Sequence, residues 1–87
     1  MYYVYAMLSL VNGDLYIGFS QDLKDRVREH NDKKVRATKA NAPWKLVYYE
    51  AYLGKKDATI REKKLKQHML KDELRDRIVH SLVMARW

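Results

Sequence analysis

Residues 2–19 read YYVYAMLSLVNGDLYIGF. Two runs rich in aromatic and β-branched residues flank Asn12-Gly13. Asn-Gly is the strongest two-residue hairpin signal, because a type I′ turn needs φ > 0 at both central positions. The stretch therefore predicts an antiparallel hairpin turning at Asn12-Gly13. Strand alternation puts Tyr3, Tyr5 and Met7 on one face and Val4, Ala6 and Leu8 on the other. Gly18 ends the second run. In a strand, such a glycine marks an end or a bulge. Alternatively, it keeps space open for a phosphate, or for the helix that follows Ser20.

Beyond the hairpin, SQDLKDRVREHN (20–31) reads as a short helix, with Ser20 as N-cap, Asp22 in the first turn and Asn31 as the stop. DKKVRATKANAP (32–43) has no period and many charges, and reads as a basic loop. PWKLVYYEAY (43–52) reads as a third strand, with Trp44, Leu46 and Tyr48 opposite Val47, Tyr49 and Ala51. Gly54 ends it, and Asp57 is the expected cap of a helix starting at Ala58. A final helical pattern places Leu74, Ile78 and Leu82 on one stripe, with its boundary to the preceding helix near residues 69–72. The order ββαβαα predicts an α+β domain, a small three-stranded antiparallel sheet flanked by helices.

With 87 residues, the chain is expected to form one domain over 1–87. A domain this small buries only roughly 60% of its unfolded surface, so a site on an open face is expected rather than a sealed pocket. The sequence has no cysteine, which excludes disulfide frameworks, cysteine zinc sites and thiol nucleophiles. No apolar run approaches the ~18 residues of a membrane helix, and the N-terminal stretch is not a signal peptide. A cytoplasmic location without membrane contact is the expectation. The net charge of +7 is concentrated: residues 24–71 hold 15 of the 18 Lys and Arg but only 6 of the 11 Asp and Glu. Such a field suits a polyanion, nucleic acid first.

Charged residues also interrupt the apolar stripes of the helices. Leu23 and Val27 must face the sheet, and Arg26 and His30 fall in the same sector of about 100°. In the second helix, Glu62 lies inside the stripe of Ala58, Leu65 and Met69. Burying an unpaired charge costs several kcal/mol, so each placement needs a reason. Ordinary reasons exist: Arg26 pairing with Asp22, Glu62 with Lys66, and His30 meeting a helix dipole. The joint alternative is a site. A carboxylate can hold Mg²⁺ with water and phosphate completing the shell. An arginine can stabilise charge growing on a phosphate, and a tyrosine can relay a proton if its environment allows. That set suits metal-assisted phosphodiester hydrolysis with one ion, since paired carboxylates are missing.

The combination resembles the GIY-YIG nuclease family, and most closely the small single-domain bacterial proteins related to the N-terminal nuclease domain of the excision-repair subunit UvrC. Val4-Tyr5-Ala6 stands at the first tripeptide and Tyr16-Ile17-Gly18 at the second. Arg26 and His30 match the helix arginine and histidine, and Glu62 in IREKKLKQH matches the metal-binding glutamate. The resemblance implies Tyr5 as general base or relay and Tyr16 as an orienter of water and phosphate. It implies Arg26 on the scissile phosphate, His30 supporting the tyrosine, and Glu62 holding one Mg²⁺ or Mn²⁺. The chain departs from the pattern in having Phe19 where the excision-repair proteins have lysine. It also has no asparagine after Asn41, which leaves His80 and Ser81 as candidates to stand in.

Three function classes follow. The first is a metal-dependent endonuclease acting on DNA more than RNA, on branched or damaged structures, with a DNA-repair role and a protein partner for targeting. The second is a nucleic-acid-binding module of the same fold with feeble cleavage. In both, Lys33, Lys34, Arg36, Lys39 and Lys63 are expected to contact phosphates, with Lys55, Lys56 and Lys64 as further cations. The third is a protein-interaction module using the C-terminal helix and Trp87.

Overall fold

The computed structural model describes residues 1–86; Trp87 and the reading attached to it lie outside the described residues. Strands β1 (Tyr2–Ser9), β2 (Leu15–Ser20) and β3 (Trp44–Tyr52) form one antiparallel sheet in the order β2-β1-β3. Helix α1 (Leu23–Asn31) lies between β2 and β3 in sequence, and α2 (Lys55–Leu65), α3 (His68–Arg77) and α4 (Val79–Ala85) follow β3. The predicted α+β class and hairpin are present. The C-terminal part holds three helices instead of two, with breaks at Lys66–Gln67 and at Ile78. The first break precedes the predicted boundary, so Met69 falls in the first turn of a new helix and is exposed rather than part of the buried stripe.

The hairpin turn departs from the two-residue prediction. Ser9 N–H donates to the Asp14 carbonyl and Gly13 N–H to the Ser9 carbonyl, closing a loop over residues 10–13. Only Gly13 takes positive φ, at 78°. The cause is side-chain competition. Ser9 Oγ accepts from the N–H groups of Val11 and Asn12, and Asn12 Oδ1 accepts from Asp14 N–H. These bonds satisfy a longer loop that a tight I′ turn would not accommodate. Cap positions shift for similar reasons. Asp22, not Ser20, caps α1 by accepting from Asp25 N–H at 3.1 Å, while Ser20 closes a local turn onto Asp22. Gly54 precedes α2, and Asp57 sits in its first turn.

Strand β3 carries a bulge. Ala6 pairs with Tyr48 and Met7 with Leu46, so Val47 is the extra residue. One inserted residue flips the face of everything beyond it. Trp44 and Leu46 therefore join Tyr5 and Met7 on one face, whereas Tyr48 turns to the other, against the predicted alternation. The two faces carry separate cores. Leu23 and Val27 of α1 pack with Tyr5, Met7, Tyr16 and Trp44. Ala58, Leu65, Leu74 and Ile78 pack with Val4, Ala6 and Ile17 on the opposite face. Each fully buried Leu or Ile there contributes roughly 1.5–3 kcal/mol.

Asn31 does more than end α1. Its amide Nδ2 donates to the Trp44 carbonyl at 3.0 Å, and its Oδ1 accepts from Trp44 N–H at 2.7 Å. Both backbone polar groups of Trp44 are thereby satisfied at the point where β3 begins. Asn31→Ala strands them, and is expected to lower unfolding free energy by about 1–3 kcal/mol. Urea denaturation measures this; a change below ~0.5 kcal/mol, the size of an ordinary surface substitution, would contradict the role.

Candidate active site

The site begins with Tyr5 and Gly18, which are direct cross-strand partners. Side chains opposite each other on one face of a pair stand close together. Here the Tyr5 ring lies across the position where a residue-18 side chain would be. A Cβ built on Gly18 meets the Tyr5 phenol carbon and oxygen well inside contact distance. Gly18 has no positive φ requirement, so its role is steric. The space it leaves is taken by the Tyr5 phenol, not by a phosphate or by the following helix.

That phenol reaches a buried chain of hydrogen bonds. Tyr5 Oη lies 2.8 Å from His30 Nε2, and His30 Nδ1 lies 2.7 Å from Thr38 Oγ1. Tyr5, His30 and Thr38 are all essentially inaccessible to solvent. Thr38 Oγ1 in turn donates to the Val35 carbonyl at 3.4 Å, and Trp44 Nε1 donates to the Thr38 carbonyl at 2.8 Å. We assign His30 the tautomer in which Nδ1–H donates to Thr38 Oγ1, whose own proton is directed at the Val35 carbonyl. The lone pair on Nε2 then accepts from Tyr5 O–H. His30 is thus a neutral imidazole. Burial, and secondarily the Arg26 charge, push its pKa down to about 4. Burial pushes Tyr5 up to about 12, with the Arg26 guanidinium acting in the opposite direction. Thr38 was invisible to sequence reasoning: it sits in the aperiodic basic loop, eight residues after His30, with no motif around it.

The other expected groups surround this chain. Tyr16 packs edge-on against His30 at a centroid distance of 5.1 Å and against Trp44 at 6.2 Å, and tilts toward Tyr5 at 6.5 Å. Arg26 is partly exposed beside Tyr5. Its nearest carboxylate is Glu29, at 3.8 Å. The pairing with Asp22 does not form, because Asp22 caps the helix. Glu62 does pair with Lys66, at 3.3 Å, and its side chain keeps 22% exposure.

Arg26, His30 and Glu62 do not converge on one sheet face as the stripe argument anticipated. The helix of Glu62 packs on the face opposite α1. Helical stripes fix only which side of a helix faces the sheet, not which face of the sheet it covers. Even so, the charge of Glu62 reaches Tyr5 and raises its pKa.

No group of three or more His, Cys, Asp or Glu that could cage a metal occurs among the described residues. Glu62 offers a hard oxygen donor with solvent access. It fits an ion held by one carboxylate, with water and phosphate supplying the other ligands.

Lys33, Lys34, Arg36 and Lys39 are exposed on the loop and Lys63 is exposed on α2. Lys33 takes φ 60° directly after the α1 cap, with its N–H bonded to the His30 carbonyl. His80 and Ser81 lie exposed on α4, and Ser81 lines a groove with Leu46, Val47 and Met84 rather than the tyrosine site.

Sequence reasoning also missed Glu50. Its carboxylate accepts from Arg61 Nε at 2.9 Å and Arg61 Nη2 at 3.0 Å, and from the hydroxyls of Tyr48 and Tyr52. The signal was present as Tyr48-x-Glu50-x-Tyr52, three polar tips on one strand face. Together they tie α2, the helix of Glu62, to β3.

A family model described as GIY-YIG catalytic domain matches residues 1–75. A UPF0213 protein of Staphylococcus epidermidis is 37% identical over 65 residues, covering 74% of this chain and 79% of its own length. A UPF0213 protein of Staphylococcus aureus matches to the same extent. Among solved structures, the solution NMR structure of a UPF0213 protein from Bacillus halodurans aligns with a TM-score of 0.53 at 28% identity. That alignment covers 85% of this chain and 82% of the other.

Two outcomes follow from this geometry. Gly18→Ala forces the new methyl into the Tyr5 phenol. It is expected to destabilise the domain by about 1–3 kcal/mol, the range for overpacking. Gly18→Ala combined with Tyr5→Ala should recover much of the loss relative to Tyr5→Ala alone; additive losses in denaturation would argue against the clash. The second concerns acid. His30 has a folded pKa near 4 and an unfolded value near 6.5. The unfolded chain therefore binds the proton first, and stability is lost as pH falls from about 6.5 toward 4. The slope approaches ~1.4 kcal/mol per pH unit from this one group. Denaturation between pH 6.5 and 5, above the carboxylate range, should show that slope in the wild type and a flatter one in His30→Gln.

Proposed function

Because the chain belongs to the GIY-YIG catalytic-domain family, we propose that it is a metal-dependent endonuclease that hydrolyses phosphodiester bonds, in DNA rather than RNA. The observation carrying this reading is the buried Tyr5–His30–Thr38 chain, with Arg26 beside the phenol. A tyrosine held by a neutral imidazole and flanked by a guanidinium is arranged for proton transfer next to an anion. A packing tyrosine needs none of this.

In the proposed reaction, the attacking water enters beside the partly exposed Arg26 and gives a proton to Tyr5 Oη, while the phenol's own proton passes to His30 Nε2. Thr38 holds the opposite nitrogen, so His30 presents a lone pair and not a proton to Tyr5. Tyr16, packed on His30, forms a wall that orients water and phosphate. Arg26 offers its guanidinium to the charge that grows on the phosphate oxygens. Glu62 would hold one Mg²⁺ or Mn²⁺, which when bound supplies Lewis-acid stabilisation of the phosphate and leaving oxygen. Lys33, Lys34, Arg36, Lys39 and Lys63 are assigned to non-scissile phosphates, where they add affinity without reading sequence. A cytoplasmic role in DNA repair, with a partner that delivers branched or damaged substrate, is consistent with this chemistry.

A nucleic-acid-binding module of the same fold with feeble cleavage is the second reading. The Glu62–Lys66 ion pair favours it, because it occupies the only carboxylate assigned to the ion.

One panel separates the two. Labelled duplex, flap, branched and single-stranded DNA and RNA are incubated with Mg²⁺, Mn²⁺ or EDTA. The nuclease reading expects metal-dependent products on DNA. Glu62→Ala should lose at least ~100-fold in rate, on the scale of removing one transition-state stabilising group, and should retain binding. Tyr5→Phe should be comparably impaired. Equal residual cleavage by purified wild type and Glu62→Ala sinks the catalytic assignment, and salt-sensitive binding without products favours the second reading.

A further inference from the structure

The basic loop and the α2–α3 junction meet along β2 in a cleft of about 290 Å³. Tyr16 of β2, Thr38 and Asn41 of the loop, and Lys66 and Lys71 of the helical segment all line it. Two of these residues already belong to the candidate site. Thr38 ends the proton chain at His30, and Tyr16 packs on the same imidazole. The cleft is therefore continuous with the reacting centre.

Its chemistry is that of an anion site. Lys66 and Lys71, on either side of the α2–α3 break, both line this small space. Lys66 is shared with Glu62. Lys71 has no ion-pair partner among the described residues. The one carboxylate lining the cleft, Asp14, accepts from the neutral Asn12 amide at 3.1 Å, and the two lysines outnumber it. The volume sits at the small end of ligand sites, which start near ~300 Å³. That is room for one nucleotide unit and not for a duplex.

We infer that this cleft is the subsite for the nucleotide next to the scissile phosphate, with Lys71 and Lys66 as ligands of its phosphodiester and Tyr16 as the surface its sugar and base rest on. The assignment rests on the nuclease reading only for what lies next door; the binding it describes needs no cleavage. It adds Lys71, on α3, to a phosphate path that the sequence placed on the loop and α2 alone. It also gives Lys66 a second partner. A phosphate in the cleft competes with Glu62 for the same ammonium, so nucleotide binding frees the carboxylate.

The test is binding without metal. A labelled single-stranded 12-mer is titrated in EDTA at several salt concentrations, read by fluorescence anisotropy, with circular dichroism checking that each variant is folded. Lys71→Ala, and more strongly Lys66→Ala with Lys71→Ala, should weaken binding. Each lost contact should flatten the slope of log affinity against log salt by roughly 0.7, the single-strand value. Lys45→Ala, an exposed lysine whose own groove lies against α4, should change neither. In parallel, the dinucleotide dTpdT is added to ¹⁵N-labelled protein and should shift the amides of residues 15–17 and Thr38.

Wild-type slope and affinity in Lys71→Ala, equal losses in Lys45→Ala, or dTpdT shifts confined to other segments would each overturn the subsite. An absence of any oligonucleotide binding by the wild type at low salt would overturn the nucleic-acid reading as a whole. Loss of cleavage alone, with the Lys71 effect intact, would remove the nuclease reading and leave the subsite standing.

Discussion

The contact between the Tyr5 phenol and the bare backbone of Gly18 organises the site. A tyrosine in the central strand of a small sheet would ordinarily stand up from its own strand. Here it reaches His30 in a direction that crosses its cross-strand neighbour, and only a residue without Cβ permits that. Once the ring is there, the rest is constrained. His30 must be buried against it, so α1 must bring its last turn down on the sheet. The imidazole then needs a second partner, which the loop supplies as Thr38. Trp44 Nε1 fixes the Thr38 carbonyl, and Asn31 fixes the Trp44 backbone. The loop that carries four exposed cations is thus pinned at its interior end by the hydrogen bonds that support the tyrosine.

The sheet separates two jobs. One face carries the Tyr5–His30–Thr38 hydrogen bonds; the other carries α2, the helix of Glu62. Joining them requires α2 to sit at a fixed rotation, and Leu65 and Ala58 alone would allow some roll. Glu50 removes that freedom. A carboxylate receiving two guanidinium bonds and two phenols is held from both elements, and bidentate arginine pairs add direction as well as energy. Arg61 is the residue before Glu62, so what fixes one fixes the other. The bulge at Val47 is what turns Tyr48 to this face. A regular β3 could not have kept Trp44 and Leu46 on the α1 side while Tyr48, Glu50 and Tyr52 face α2.

The sequence displayed the strands, the basic loop and the polar residues inside apolar stripes. Arg26, His30 and Glu62 could be picked out because charge at a core-facing position violates the helical pattern, whereas Tyr5 and Tyr16 stood out only through the tripeptides that carry the family resemblance. What stayed hidden has a common cause. Thr38, the Val47 bulge and the opposite placement of α2 are set by contacts between segments distant in sequence, and period analysis sees only one segment at a time. The turn and the caps failed for a local reason. Ser, Asn and Asp have several backbone partners within three residues, and propensity alone does not choose among them. Glu50 was readable in principle, as alternation of Tyr, Glu and Tyr, but the aromatic signal of the strand masked it.

The resting charges oppose the chemistry, and the direction of that opposition is informative. Tyr5 sits near 12 and His30 near 4, so the proton belongs on the phenol and the chain is locked in its neutral form. Burial sets both values, and burial alone would make Tyr5 a packing residue. The charged neighbours act unequally. Arg26 pulls the Tyr5 value down and Glu62 pushes it up. Arg26 also lowers the His30 value, so this one partly exposed cation acts on both partners, holding the imidazole neutral while easing the phenol toward ionisation. Burial outweighs it at Tyr5 and adds to it at His30, which is why the hydrogen-bonded chain rests with its proton on the phenol.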